Sequence, residues 1–169
     1  MSFYHGTAPV FTHMLTALSN ILKKGQAYAE EKNIKPEVLL NARLHPTMLP
    51  FIKQVQLACD FSGKACARLA QIDVPNTPDE ETTFEQLQTR IEKTIAGIKA
   101  IPAEKYEGAD ARDVTFPSGA GKTRTVSGQI FINHAAFPNF FFHVTTAYDI
   151  LRHNNVELGK LDFLGVTES

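Results

Sequence analysis

Apolar residues recur at spacings of three and four in four long stretches of the chain, the period of helices that bury one face. In the first stretch, Phe11, Met14, Leu15, Leu18, Ile21 and Leu22 form a stripe, which predicts a helix from about Pro9 to Glu31. Thr7 stands at its N-cap, Pro9 lies in its first turn, and Asn33 and Pro36 end it. Residues 35–46 form a partly apolar connection with room for a short helical turn. The second stretch runs from near Pro50 to about Ile72, with Phe51, Val55, Ala58, Ser62, Ala65, Cys66 and Leu69 on one face. That face is rich in small residues, so a neighbouring helix can approach it closely. Val74-Pro75-Asn76-Thr77-Pro78 is a linker.

The third stretch has the clearest start. Thr82 with Glu85, or Thr83 with Gln86 one residue on, fits a capping box. Phe84, Leu87, Ile91, Ile95 and Ile98 follow at helical spacing, and Pro102 closes the element. The period then changes. Val114-Thr115-Phe116 favours a strand, Pro117 to Gly121 reads as a turn, and Thr123 to Phe131 is again rich in β-branched residues, interrupted by Gly128. A fourth helix is expected from near Pro138 to Asn154-Asn155. The tail from Leu158 to Gly165 carries enough apolar residues to pack back. Four one-sided helices are buried most economically in an antiparallel-type four-helix bundle. The expected fold is therefore all-α, a single domain over residues 1–169, with long crossovers and a short β-hairpin-like excursion before the last helix.

The bulk properties narrow the function without naming it. A chain of 169 residues with net charge −1 has no electrostatic reason to bind nucleic acid or an anionic membrane. No segment has the apolar length of a membrane span, and the start of the chain lacks a signal-peptide pattern, so the expected location is the cytoplasm. Cys59 and Cys66 sit seven residues apart on one expected helix. Their Cα atoms would be roughly 10 Å apart, beyond the ~7 Å reach of a disulfide. They read as reduced core residues.

Ser118-Gly119-Ala120-Gly121-Lys122-Thr123 is close to the end of a phosphate-binding loop, but Phe116 replaces the required earlier glycine. A β pattern follows it where such a loop needs a helix. A glycine-rich turn is the better reading. None of the six histidines is paired at i, i+4, so a metal would need ligands from several helices. His143 lies at the edge of the stripe formed by Phe140, Val144, Ala147 and Leu151, where a hydrogen-bonded core-edge histidine is the simplest reading. Asp60 lies opposite the apolar stripe of its helix, where pairing with Lys64 on a solvated face is expected. Phe140-Phe141-Phe142 covers too many directions for one buried face, which requires either enclosure of the helix or a contact with a second subunit.

Three stretches carry a family resemblance: Leu49 to Asp60, Thr82 to Ile91, and Pro138-Asn139-Phe140-Phe141-Phe142-His143 onward through Gly159 and the Asp162-Phe163-Leu164-Gly165 tail. In these the chain resembles a bacterial family of unknown function within the DinB/YfiT-like superfamily of metalloenzymes. The resemblance implies a DinB-type four-helix bundle with long crossovers, often dimeric. Metal-binding relatives use one histidine from the second helix and a His-x-x-x-His pair from the helix that closes the site. Here His143 matches the first of that pair, Ala147 stands at the second, and Asp60 stands near the helix-two position. The candidate ligands for a divalent ion such as Zn²⁺ or Ni²⁺ are therefore His143 and Asp60. Two functions follow from the resemblance and the residues together. One is a homodimeric binding or interaction protein, metal-free or with a degenerate site, and compatible with a small-molecule ligand near His143. The other is a divalent-metal-dependent enzyme, thiol-transferase-like or hydrolase-like, with its site near His143.

Overall fold

The computed structural model describes residues 3–166, so the extreme ends of the single-domain reading, residues 1–2 and 167–169, lie outside the described residues. Four long helices form the frame: α1 (Ala8–Glu31), α3 (Phe51–Ala70), α4 (Phe84–Lys99) and α6 (Phe137–His153). Short helices α2 (Pro36–Leu40), α5 (Gly128–Phe131) and α7 (Lys160–Leu164) join or follow them, with a hairpin of β1 (Asp113–Pro117) and β2 (Thr123–Ser127) before α5. The stripes expected from the sequence face one hydrophobic core. Phe11, Leu15, Leu18, Phe51, Val55, Phe84, Leu87, Phe140 and Val144 are all buried in it. Burial of such side chains contributes on the order of 2 kcal/mol each.

Helix directions follow from which residues stand level with each other. Ser19 on α1 meets Gln88 on α4, and Gln26 meets Glu85, so these helices are antiparallel. His143 on α6 meets Gln54 on α3, whereas Leu69 stands against Gly128, so α3 and α6 are antiparallel too. Asp60 on α3 meets Arg90 on α4, and Gly63 faces Thr94, so α3 and α4 run parallel. A purely antiparallel bundle was the economical expectation; this parallel pair departs from it. The linker makes it possible. A dozen extended residues reach about 40 Å, and a helix the length of α3 is about 30 Å long. Residues 71–82 therefore return along the α3–α4 groove as an exposed strap before α4 begins.

The ends of the elements have local causes. Of the two candidate capping boxes, the one at Thr83 forms: its side chain accepts from the Gln86 amide and the Gln86 side chain reaches back. Thr7 precedes α1, but its hydroxyl donates to the carbonyls of Phe3 and Tyr4 and makes no helix cap. In the hairpin, Thr115 pairs with Thr125 and the turn places Gly119, Ala120 and Gly121 at positive φ. A strand follows the turn, as the sequence reading required.

The last long helix starts earlier than its proline suggested. The β pattern holds only to Ser127; helix α5 then leads through a π-helical turn, Ile132–Ala136, directly into α6. Pro138 explains the π turn. It has no N–H to give the carbonyl four residues back. A π turn reaches one residue further, past the missing donor. The Asn139 side chain adds a bond to the Ala135 carbonyl at 2.7 Å. The C-terminal tail packs back as expected: Leu164 bonds His13 at 2.8 Å and Asp162 pairs with Lys24 at 2.6 Å.

Candidate functional site

His143 is 8% exposed and is fixed from three sides. Its ring stacks on Phe61 of α3 at 5.4 Å, Phe142 meets it edge-on at 5.2 Å, and its Nδ1 lies 2.7 Å from Gln54 Oε1. The tautomer follows from Gln54. Its amide nitrogen donates to the Leu49 carbonyl, so its oxygen must accept, and His143 Nδ1 carries the hydrogen. That leaves Nε2 with a free lone pair. Burial pushes the His143 pKa down to about 4, so the ring is neutral at pH 7.

This geometry predicts a pH response. The folded pKa lies below the unfolded value of about 6.5, so the unfolded chain binds the extra proton first. The stability contributed by neutral His143 is present above pH 6.5 and is lost as the pH falls toward 4. In denaturant melts, His143→Phe should flatten the fall in stability across that window. An unchanged slope would show that His143 does not stay neutral in the fold.

Asp60 occupies a different place. The sequence put it opposite the apolar stripe, and it is there, but that face is covered by α4 and the strap. Its carboxylate takes Lys64 at 2.5 Å and Arg90 at 2.7 Å. Arg90 has a side chain only 2% exposed and is the centre of a network. Its Nη1 donates to the Pro78 carbonyl and to both oxygens of Glu81, and its Nη2 donates to Asp60 and lies 3.0 Å from Asp79. Gln56 adds a bond to Glu81, and Lys53 one to Asp79. The network straps residues 78–81 onto α3 and α4.

His143 therefore sits on the α3–α6 side and Asp60 on the α3–α4 side, each with its own partners. Among the described residues no three His, Cys, Asp or Glu side chains converge as a metal site. The donor set near His143 does not fit a divalent ion: Nε2 is one ligand, Gln54 has spent its oxygen on Nδ1–H, and Ala147 offers none. Cys59 and Cys66 are free and buried, and burial pushes both thiols up to about 12, far from thiolate reactivity. A cavity of about 580 Å³ opens between α3, α4 and the strap; its wall includes Asp60 and Arg90 but not His143.

Two residues that organise these sites were not singled out by the sequence reading. Gln54 interrupts the apolar stripe between Phe51 and Val55, and a polar side chain on a buried stripe needs a partner. Arg90 flanks the stripe of α4 soon after the acidic run Asp79-Glu80-Glu81. Both signals exist in the chain, but neither names the partner.

Comparison with known proteins places this architecture. Residues 3–164 match the family described as Domain of unknown function (DUF1993). The chain belongs to the DUF1993 family and is DinB-like. A crystal structure of a DinB family member protein from Shewanella denitrificans is 38% identical, with a TM-score of 0.89, covering 98% of this chain and 93% of that one. No curated protein matches significantly. Among the described residues of this DUF1993 chain, no helix is long and apolar enough to cross a membrane.

Proposed function

We propose that this DUF1993 protein is a metal-free binding protein that pairs with a second copy of itself through the outer face of α6. The observation that carries the reading is Phe142. Its two neighbours are absorbed by the fold: Phe140 is fully buried against Phe11, and Phe141 is partly buried against Phe137. Phe142 remains 54% exposed beside His143. Leu49, whose carbonyl takes the Gln54 amide, is 47% exposed. An aromatic held by its neighbours at a surface is the kind of anchor on which interfaces concentrate their energy. The dimeric habit implied by the DinB resemblance supports the same reading. The donor set around His143, a single free imidazole nitrogen, supports function without a divalent ion.

Sedimentation velocity at micromolar concentration tests both parts. The protein should sediment as a dimer whose population is the same with and without added Zn²⁺. Phe142→Asp should weaken that dimer by about tenfold or more, since it places a charge where an apolar contact is required. A wild-type monomer, or a dimer that forms only with Zn²⁺, refutes the proposal.

A further inference from the structure

The cavity under the strap lies on the opposite side of α3 from His143, and its wall includes neither Phe142 nor Leu49 of the proposed dimer face. Its volume of about 580 Å³ is within the range of small-molecule sites, about 300–1,000 Å³. One end is apolar, lined by Ala67 of α3, Ile72 of the strap, Ile98 of α4 and Ile101 just beyond α4. The other end is ionic, where Asp60 and Glu81 surround Arg90. Glycines keep the groove between them open. Gly63 lines it from α3, and a Cβ added at Gly97 on α4 would meet nothing within 4 Å.

The valences left at the ionic end select the ligand. The terminal N–H groups of Arg90 are taken by Pro78, Glu81, Asp60 and Asp79. Its Nε–H has no partner but is sealed from solvent, so Arg90 presents no accessible donor to an anion. Asp60 and Glu81 retain lone pairs beyond those used by Arg90, Lys64 and Gln56, because a carboxylate accepts about four hydrogen bonds. Around the whole cavity four acids, Asp60, Asp73, Glu80 and Glu81, outnumber the three bases Lys64, Arg90 and Lys93. We infer that the α3–α4 cavity is a binding site for a compact apolar molecule carrying a primary ammonium group. The apolar body lies toward Ala67 and Ile98, and the ammonium donates to Asp60 and Glu81.

Tryptamine is the probe, with indole-3-propionate as its anionic counterpart, followed by the backbone amide spectrum of the full chain. Tryptamine should shift the amides of Gly63, Thr94, Gly97 and Ile98 in a saturable way. Indole-3-propionate should leave them in place. The variant Gly97→Leu fills the groove from an exposed helical position. Leucine is the better helix former there, so the melting temperature should hold or rise. Its tryptamine affinity should fall by about tenfold or more. No shifts with millimolar tryptamine, preference for the anion, or undiminished binding by a folded Gly97→Leu protein each overturns the assignment.

Discussion

Arg90→Ala will destabilise the protein by about 3–4 kcal/mol, the cost of leaving buried carboxylates without their counter-ion. The guanidinium is almost wholly enclosed, and three acids depend on it: Asp60, Asp79 and Glu81. Glu81 is the most critical of them, because its side chain is only 12% exposed. Asp60 and Asp79 keep Lys64 and Lys53 as second partners, which limits the loss there. Arg90→Lys should recover only part of the stability, since an ammonium lacks the planar fork that spans acceptors on α3 and the strap. Urea denaturation measures the change, and hydrogen exchange should show residues 78–81 released first. A loss below about 1 kcal/mol would mean that the network behaves as a surface cluster.

Gly128→Ala will cost about 3 kcal/mol or more, at the upper end for overpacking. A Cβ at this position would lie 1.9 Å from the carbonyl oxygen of Ala109. The obstruction is backbone, so no rotamer change relieves it. The same residue donates its N–H to the Arg112 carbonyl at 2.8 Å, and Gln129 donates to Asp110. The Arg112 side chain in turn donates to the carbonyls of Leu69, Lys105 and Glu107. Gly128 is thus the point at which the hairpin base, the end of α3 and the start of the last helical run are pressed together. Denaturation midpoints measure the cost, and amide shifts should spread through residues 107–112. A variant as stable as the wild type would show that this loop can move away freely.

The two positions differ in how far a sequence could reveal them. Gly128 was visible as an interruption in a β pattern, and it does mark the switch from strand to helix. Its necessity was not visible, because Ala109 reaches it only through the fold. His143 was legible as a core-edge histidine, and Pro138 was legible as a feature of the last helix. The helix nevertheless begins ten residues earlier, at Gly128, because a π turn absorbs the missing donor. The pairing of Asp60 with Lys64 was legible from its i, i+4 spacing. The burial of that face was not, because the strap that covers it belongs to a segment read only as a linker.

By itself the sequence determined the four amphipathic helices, the hairpin between the third and fourth, a capping box at Thr82 or Thr83 and the returning tail. Each depends on local periodicity or on residues within one turn of each other, where spacing and geometry are the same thing. The tertiary structure alone decided that α3 and α4 run parallel, that Arg90 gathers three acids from α3 and the strap, and that Gln54 sets the tautomer of His143. Those contacts join residues 30 to 89 positions apart in the cases of Asp60–Arg90 and Gln54–His143. A hydrogen bond depends on distance and angle in space, and over such separations the order of residues along the chain encodes neither.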